Sequence, residues 1–162
     1  MSSRRREAGV TLVEMIVVVA IVGLIAAIAF PSFTAGLDGV RLATATDSIV
    51  AFLNAGLNHA ERRQQTVEFT VSIPENRVVM RSTQPGYVRT LAMEKGMTIV
   101  RVLPQLPGGI EESTRNFYVY PSGAIPAVGI EISNARGRHR IVSVDPITGV
   151  AQTQDPVAEQ QK

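Results

Sequence analysis

Gly9-Val10-Thr11-Leu12-Val13-Glu14-Met15 runs directly into an apolar segment that closes on Phe30-Pro31. From Val10 to Phe30 there are 21 residues and one charge, Glu14. A helix of that length, at ~1.5 Å rise per residue, spans about 30 Å, the thickness of a bilayer's hydrocarbon core. Arg4, Arg5 and Arg6 stand before the segment and no basic cluster follows it closely. That asymmetry keeps the N-terminus cytoplasmic and sends the remainder across. The sequence predicts a chain inserted once in a membrane, with a globular part outside the cytoplasm.

Glu14 needs an explanation, because an ionisable group in an apolar span costs roughly 2.5–3.5 kcal/mol on insertion scales. Part of the answer is position: near the start of a helix a carboxylate snorkels and favours the positive end of the dipole. Its setting adds more. Arg4-Arg5-Arg6-Glu7-Ala8-Gly9 followed by Val10-Thr11-Leu12-Val13-Glu14 resembles the class III signal of type IV prepilins and type II secretion pseudopilins, in which basic leader, glycine, glutamate and span coincide. The resemblance implies that prepilin peptidase cleaves between Gly9 and Val10 and N-methylates Val10, where the family usually has Phe. It implies that Glu14 pairs with the terminal amine of a neighbouring subunit, two charges neutralising each other in lipid. Gly23 and Pro31 match the positions that bound the stretch of a pilin helix that loosens in filaments; a glycine weakens a helix and a proline removes one of its donors.

Composition bounds the rest. The 162 residues leave room for one membrane helix and one domain with a modest core. The formal charge is +2; without residues 1–9, which hold three Arg and one Glu, 13 basic and 13 acidic residues remain. The mature chain is therefore near neutral and does not call for an acidic partner. Cysteine is absent, which removes disulfides, thiolate nucleophiles and Cys-based zinc sites. An exported domain of this kind depends on its packed core. The lack of Trp argues against a carbohydrate-stacking surface.

Beyond Pro31, the residues Gly36, Asp38 and Gly39 are poor helix formers and mark a soft spot. From Leu42 the apolar residues Ile49, Phe52, Leu53, Gly56, Leu57 and Ala60 recur at three- and four-residue spacing, which predicts an amphipathic helix to about Arg63. The period then becomes two. Val67, Phe69, Val71 and Ile73 alternate with polar residues; Arg77–Arg81 returns after Pro74-Glu75-Asn76. Further strands are expected at Tyr87–Met93, Met97–Val102, Asn116–Tyr120, Ala127–Ile132, Arg140–Val144 and Gly149–Gln152. The expected organisation is a leader over 1–9, a transmembrane and assembly helix over 10–31, an amphipathic helix over 32–63, a β-rich periplasmic head over 64–154 and a disordered tail over 155–162.

That order predicts an α+β fold, a long N-terminal helix packed on an antiparallel β-sheet head. It is similar to the pilin ladle, and within that superfamily to the GspH/FimT-like minor pseudopilins. Ala51–Arg63 resembles their helix end, and Phe117-Tyr118-Val119-Tyr120-Pro121-Ser122-Gly123-Ala124, Gly129-Ile130-Glu131-Ile132 and Thr148-Gly149-Val150 resemble their closing strands. The resemblance implies a non-catalytic structural and assembly subunit of the bacterial inner membrane, incorporated into a pilus or pseudopilus. Its partners would be prepilin peptidase, other minor and major pilins or pseudopilins, the inner-membrane assembly platform and membrane lipid. The alternatives are a DNA-binding subunit of a DNA-uptake pilus, a signal-anchored periplasmic binding module and a membrane-anchored hydrolase.

Enzyme chemistry and cofactors find little support. His59 and His139 belong to no metal-ligand pattern, and no phosphate-binding glycine motif appears. Ser143, His139 and Asp145 are close in sequence but lack the orienting geometry of a triad. Arg136-Gly137-Arg138-His139-Arg140 is the one concentrated charge, on an expected hairpin whose turn suits Asn134 and Gly137. It is read either as a solvated turn or as a phosphate contact through Arg136, Arg138 and Arg140. Gly137-Arg138-His139-Arg140 resembles the Gly-Arg-x-Arg element through which FimT-like minor pilins are thought to bind DNA, so DNA is a candidate partner.

Overall fold

The computed structural model describes residues 11–84, 86–105, 113–121 and 127–154. The leader with Gly9 and Val10, the segments 106–112 and 122–126, and the tail from 155 lie outside the described residues. The described residues form one helix, α1 (Leu12–Arg63), followed by eight strands: β1 (Val67–Ser72), β2 (Arg77–Ser82), β3 (Val88–Ala92), β4 (Met97–Leu103), β5 (Thr114–Val119), β6 (Gly129–Asn134), β7 (His139–Val144) and β8 (Ala151–Gln154). It divides into two compact units, Met1–Leu37 and Asp38–Lys162.

In the first unit every residue from Leu12 to Phe30 is exposed. An apolar stretch of 19 residues that buries nothing is not the core helix of a water-soluble domain. The backbone stays helical through Gly23, Pro31 and the Gly36–Gly39 stretch, although Pro31 has no N–H to give to the preceding turn.

The second unit is built on the stripe the spacing predicts. Leu42, Ala45, Ile49, Leu53 and Ala60 are buried on one side of α1 and pack with two antiparallel sheets, ordered β3-β2-β1-β5 and β4-β6-β7-β8. From the first sheet come Val67, Phe69, Val71, Val78, Met80, Phe117 and Val119; from the second come Ile99, Val102, Ile130, Ile132, Val142 and Val144. The alternation in β1 is that of a central strand with one face inward. Phe69 stacks on Phe117 with ring centroids 5.0 Å apart and meets Phe52 edge-on at 6.3 Å.

At Gly56 the helix lies close against the first sheet. A Cβ at that position would lie 2.2 Å from Phe69 Cζ and 2.6 Å from Met80 Sδ. Phe69 is held between two other rings and cannot swing aside, so only glycine fits. Two asparagines tie the layers. Asn54 on α1 accepts from the Ala151 N–H at 2.9 Å and donates to its carbonyl at 3.3 Å, fixing β8 to the helix. Asn76, in the β1–β2 turn, accepts from the Ile99 N–H at 2.8 Å and donates to Met97 O at 2.7 Å, joining the first sheet to the edge of the second. The β7–β8 turn is closed by the Asp145 carboxylate, which accepts from Ile147 N–H at 2.8 Å and holds its own pKa below the usual carboxylate range.

Two outcomes follow. Gly56→Ala is expected to destabilise the head by about 1–3 kcal/mol through overpacking, read as a lower denaturation midpoint at unchanged slope. Asp145 stabilises the fold in its ionised form; its contribution is complete above the unfolded value near pH ~4 and is lost as pH falls through the lower folded value. Asp145→Ala should therefore make the acid limb of stability shallower below about pH 4.

Candidate functional site

Thr11 is the last residue before α1, and its Oγ1 accepts a hydrogen bond from the Glu14 backbone N–H at 3.3 Å. Thr11-Leu12-Val13-Glu14 thus forms the N-cap half of a Thr-x-x-Glu capping box, satisfying one of the donors that the first turn leaves open. Glu14 is exposed in that turn, where the helix dipole favours a carboxylate. The methylation-type pattern and the helix cap therefore share residues. Gly23 has open space around its Cα, consistent with a surface that other helices can approach.

The second cluster is the β6–β7 hairpin. Asn134 is buried at its base and its Oδ1 accepts from both Arg136 N–H and Arg138 N–H, each at 3.0 Å. The Gly137 N–H closes the turn on Asn134 O at 3.0 Å, and Gly137 takes φ 73°, where a side chain would be strained. Asn134 and Gly137 thus serve the turn as their sequence suggests. Arg136 Nε donates to Asp38 Oδ2 on α1 at 2.7 Å. A side-chain carbon at Gly39 would lie 3.4 Å from Arg138 Nη1, which places that guanidinium against the helix. Arg41 approaches Asp38 at 3.9 Å. Arg140 stands opposite Ile132 in the register and so shares its face with the core residues of β6 and β7. Among the described residues neither Arg138 nor Arg140 is paired with a carboxylate.

His139 behaves differently from its neighbours. It is the first residue of β7 rather than part of the turn, and alternation sends it to the opposite face from Arg140. There its Nδ1 bonds Glu131 Oε1 at 2.8 Å, while the other oxygen of Glu131 accepts from Arg101 Nε. A carboxylate engaged by arginine only accepts, so the His139 Nδ1 carries the proton. Glu131 is 3 % exposed and bridges three neighbouring strands. Arg101 reaches it because β4 bulges between Ile99 and Arg101, which puts Ile99 and Val102 inward and Arg101 outward. Sequence reading placed no role on Arg101 or Glu131. Ser143 and Asp145 take no part in this ladder, and no group of three or more His, Cys, Asp or Glu that could hold a metal occurs among the described residues.

The second unit, a helix with antiparallel sheets packed on it, gives a pilin-like α+β fold. Residues 4–30 match the prokaryotic N-terminal methylation motif, which spans the leader, Glu14 and the apolar stretch. In fold the chain is similar to the minor pseudopilin EpsH from the Type 2 Secretion System of Vibrio cholerae: TM-score 0.54, 12% identity, covering 72% of this chain and 98% of that one. Comparison with curated protein sequences finds no match. The chain thus carries a prokaryotic N-terminal methylation motif ahead of a pilin-like α+β fold.

Removing Glu131 leaves Arg101 and His139 without their shared acceptor. Because both are half-exposed, Glu131→Ala should cost about 1–3 kcal/mol rather than the full penalty of a buried broken pair, with Glu131→Gln less harmful. Thermal unfolding of the two variants checks this.

Proposed function

We propose that this chain is the precursor of a minor pseudopilin, a non-catalytic assembly subunit stored in the inner membrane before it enters a pseudopilus or related pilus. The observation that carries the reading is the coincidence, in residues 4–30, of the methylation motif with an apolar helix that is exposed along its whole length from Leu12 to Phe30. Such a surface needs lipid, or the helices of other subunits, to cover it. The fold likeness to a subunit of a type 2 secretion system supports the secretion form of the reading.

On this reading prepilin peptidase cuts between Gly9 and Val10 on the cytoplasmic side and methylates the Val10 amine. The basic leader keeps the N-terminus inside, and the head from Asp38 onward lies in the periplasm. Glu14 stands in the first turn, so a neighbouring subunit's N-terminal amine can meet it with little reordering. The pair is favourable in lipid because each charge would otherwise be left alone there. Gly23 and Pro31 are where the helix gives way on assembly, since one adds no side-chain packing and the other withholds a hydrogen bond. Other minor and major subunits and the inner-membrane assembly platform are the partners.

Mass spectrometry of native material tests the first half: the mature chain is expected to begin at Val10 and to carry one methyl group. An intact precursor, or cleavage within the apolar span by an ordinary leader peptidase, would refute it. For the second half, Glu14→Ala should be processed normally yet be lost from sheared filaments. A signal-anchored binding module would be indifferent to that change.

A further inference from the structure

The β6–β7 hairpin gathers charge at one place on α1. Arg136 and Arg41 flank Asp38, and Arg138 lies against Gly39. Two guanidiniums thus meet one carboxylate, Arg138 lies one residue along the helix from it, and Arg140 follows on β7. The turn that presents them is fixed by buried Asn134, so little ordering is required when they meet a ligand. Asp38 follows Phe30, the last residue of the apolar span, by eight residues. That chain length alone limits the separation to about 12 Å if helical and at most ~29 Å if fully extended. The headgroup layer extends roughly 6 Å beyond the hydrocarbon, and an arginine's long stem bridges much of what is left.

We propose that Arg138 and Arg140, with Arg41 on α1, form a contact for the phosphates of anionic phospholipids on the periplasmic leaflet, Arg136 being held by Asp38. The inference rests on the membrane-anchored reading of Leu12–Phe30. Guanidinium forks match phosphate oxygens bidentately. A preset cluster held by an eight-residue leash meets a lipid headgroup in every anchored copy, before any soluble polyanion arrives. No Phe, Tyr or Trp lies in the hairpin from Asn134 to Arg140, and the His139 ring is held by Glu131 on the other face, so the cluster has the chemistry of a phosphate surface rather than of a nucleic-acid groove. The contact would hold the head down against the membrane while the subunit waits, and release it when assembly draws the span out of lipid.

The chain lacks cysteine, so Ala135→Cys in the exposed turn gives a unique labelling position. The full chain carrying a spin label there is placed in nanodiscs of phosphatidylcholine alone or with about a third phosphatidylglycerol, each doped with a nickel-chelating headgroup lipid. Faster relaxation of the label by headgroup nickel in the anionic discs, and its loss at 1 M salt, where screening falls to ~3 Å, is the expected result. Arg138→Ala with Arg140→Ala should shift the docked-to-free ratio by about thirtyfold, while Arg138→Lys with Arg140→Lys retains most of the effect. Unfolding midpoints confirm that both variants keep the head folded. Equal relaxation in the two lipid compositions overturns the proposal, as does a label that responds only to added duplex DNA. Failure of the chain to co-elute with nanodiscs would instead overturn the anchored reading itself, and the proposal with it.

Discussion

At Gly56 the backbone of α1 comes so near the first sheet that Phe69 and Met80 occupy the volume any side chain would need. Much of the head's arrangement follows from that approach. With the helix axis drawn in, Ile49 and Leu53 on one side and Ala60 on the other reach full burial, and the ring stack of Phe52, Phe69 and Phe117 closes over the gap. A domain without disulfides has no covalent substitute for this packing. The polar ties are placed where packing ends: Asn54 at β8 and Asn76 at β4 each satisfy backbone groups that the sheets leave unpaired.

The same helix obeys two sets of rules along its length. Between Leu42 and Ala60 it is amphipathic, and its hydrophobic stripe is matched by the strands that follow. Between Leu12 and Phe30 it is apolar on every side apart from Glu14, and each of those residues is exposed. A stripe is a statement about one partner; an apolar cylinder is a statement about a solvent, or about several like neighbours. Thr11 supplies the local condition for starting such a helix, since an uncapped first turn would leave its N–H groups without acceptors in an apolar medium.

How much of this could be read from the sequence depends on the range of the interaction. The helix stripe and the alternation of β1 are periodic and local, so Ile49, Leu53, Val67, Phe69 and Val71 were identifiable as core from spacing alone. The eight strands were foreseen, with ends displaced by one or two residues, as at Thr114 and Gln154. The bulge in β4 was not, because Met97-Thr98-Ile99-Val100-Arg101-Val102 alternates plausibly without it. Glu131 was missed for a related reason: Ile130-Glu131-Ile132 reads as an outward carboxylate, which it is, yet its burial is supplied by side chains 30 residues before and 8 after it. The Asn54 and Asn76 bridges, at separations of 97 and 21–23 residues, leave no periodic trace at all.

Arg136-Gly137-Arg138-His139-Arg140 shows how a compact motif in sequence comes apart in a fold. Read along the chain it is one basic knob. Once β7 begins at His139, alternation divides it: the histidine turns to the outer ladder and is bound by Glu131, while Arg140 takes the side of Ile132 and Arg138 lies on α1. The histidine's nitrogen is committed to structure, and Arg136 is engaged by Asp38. What is left for an outside ligand is therefore the arginine face beside the helix and not the histidine. Any binding there should weaken as salt rises, because contacts between arginines and anions are screened.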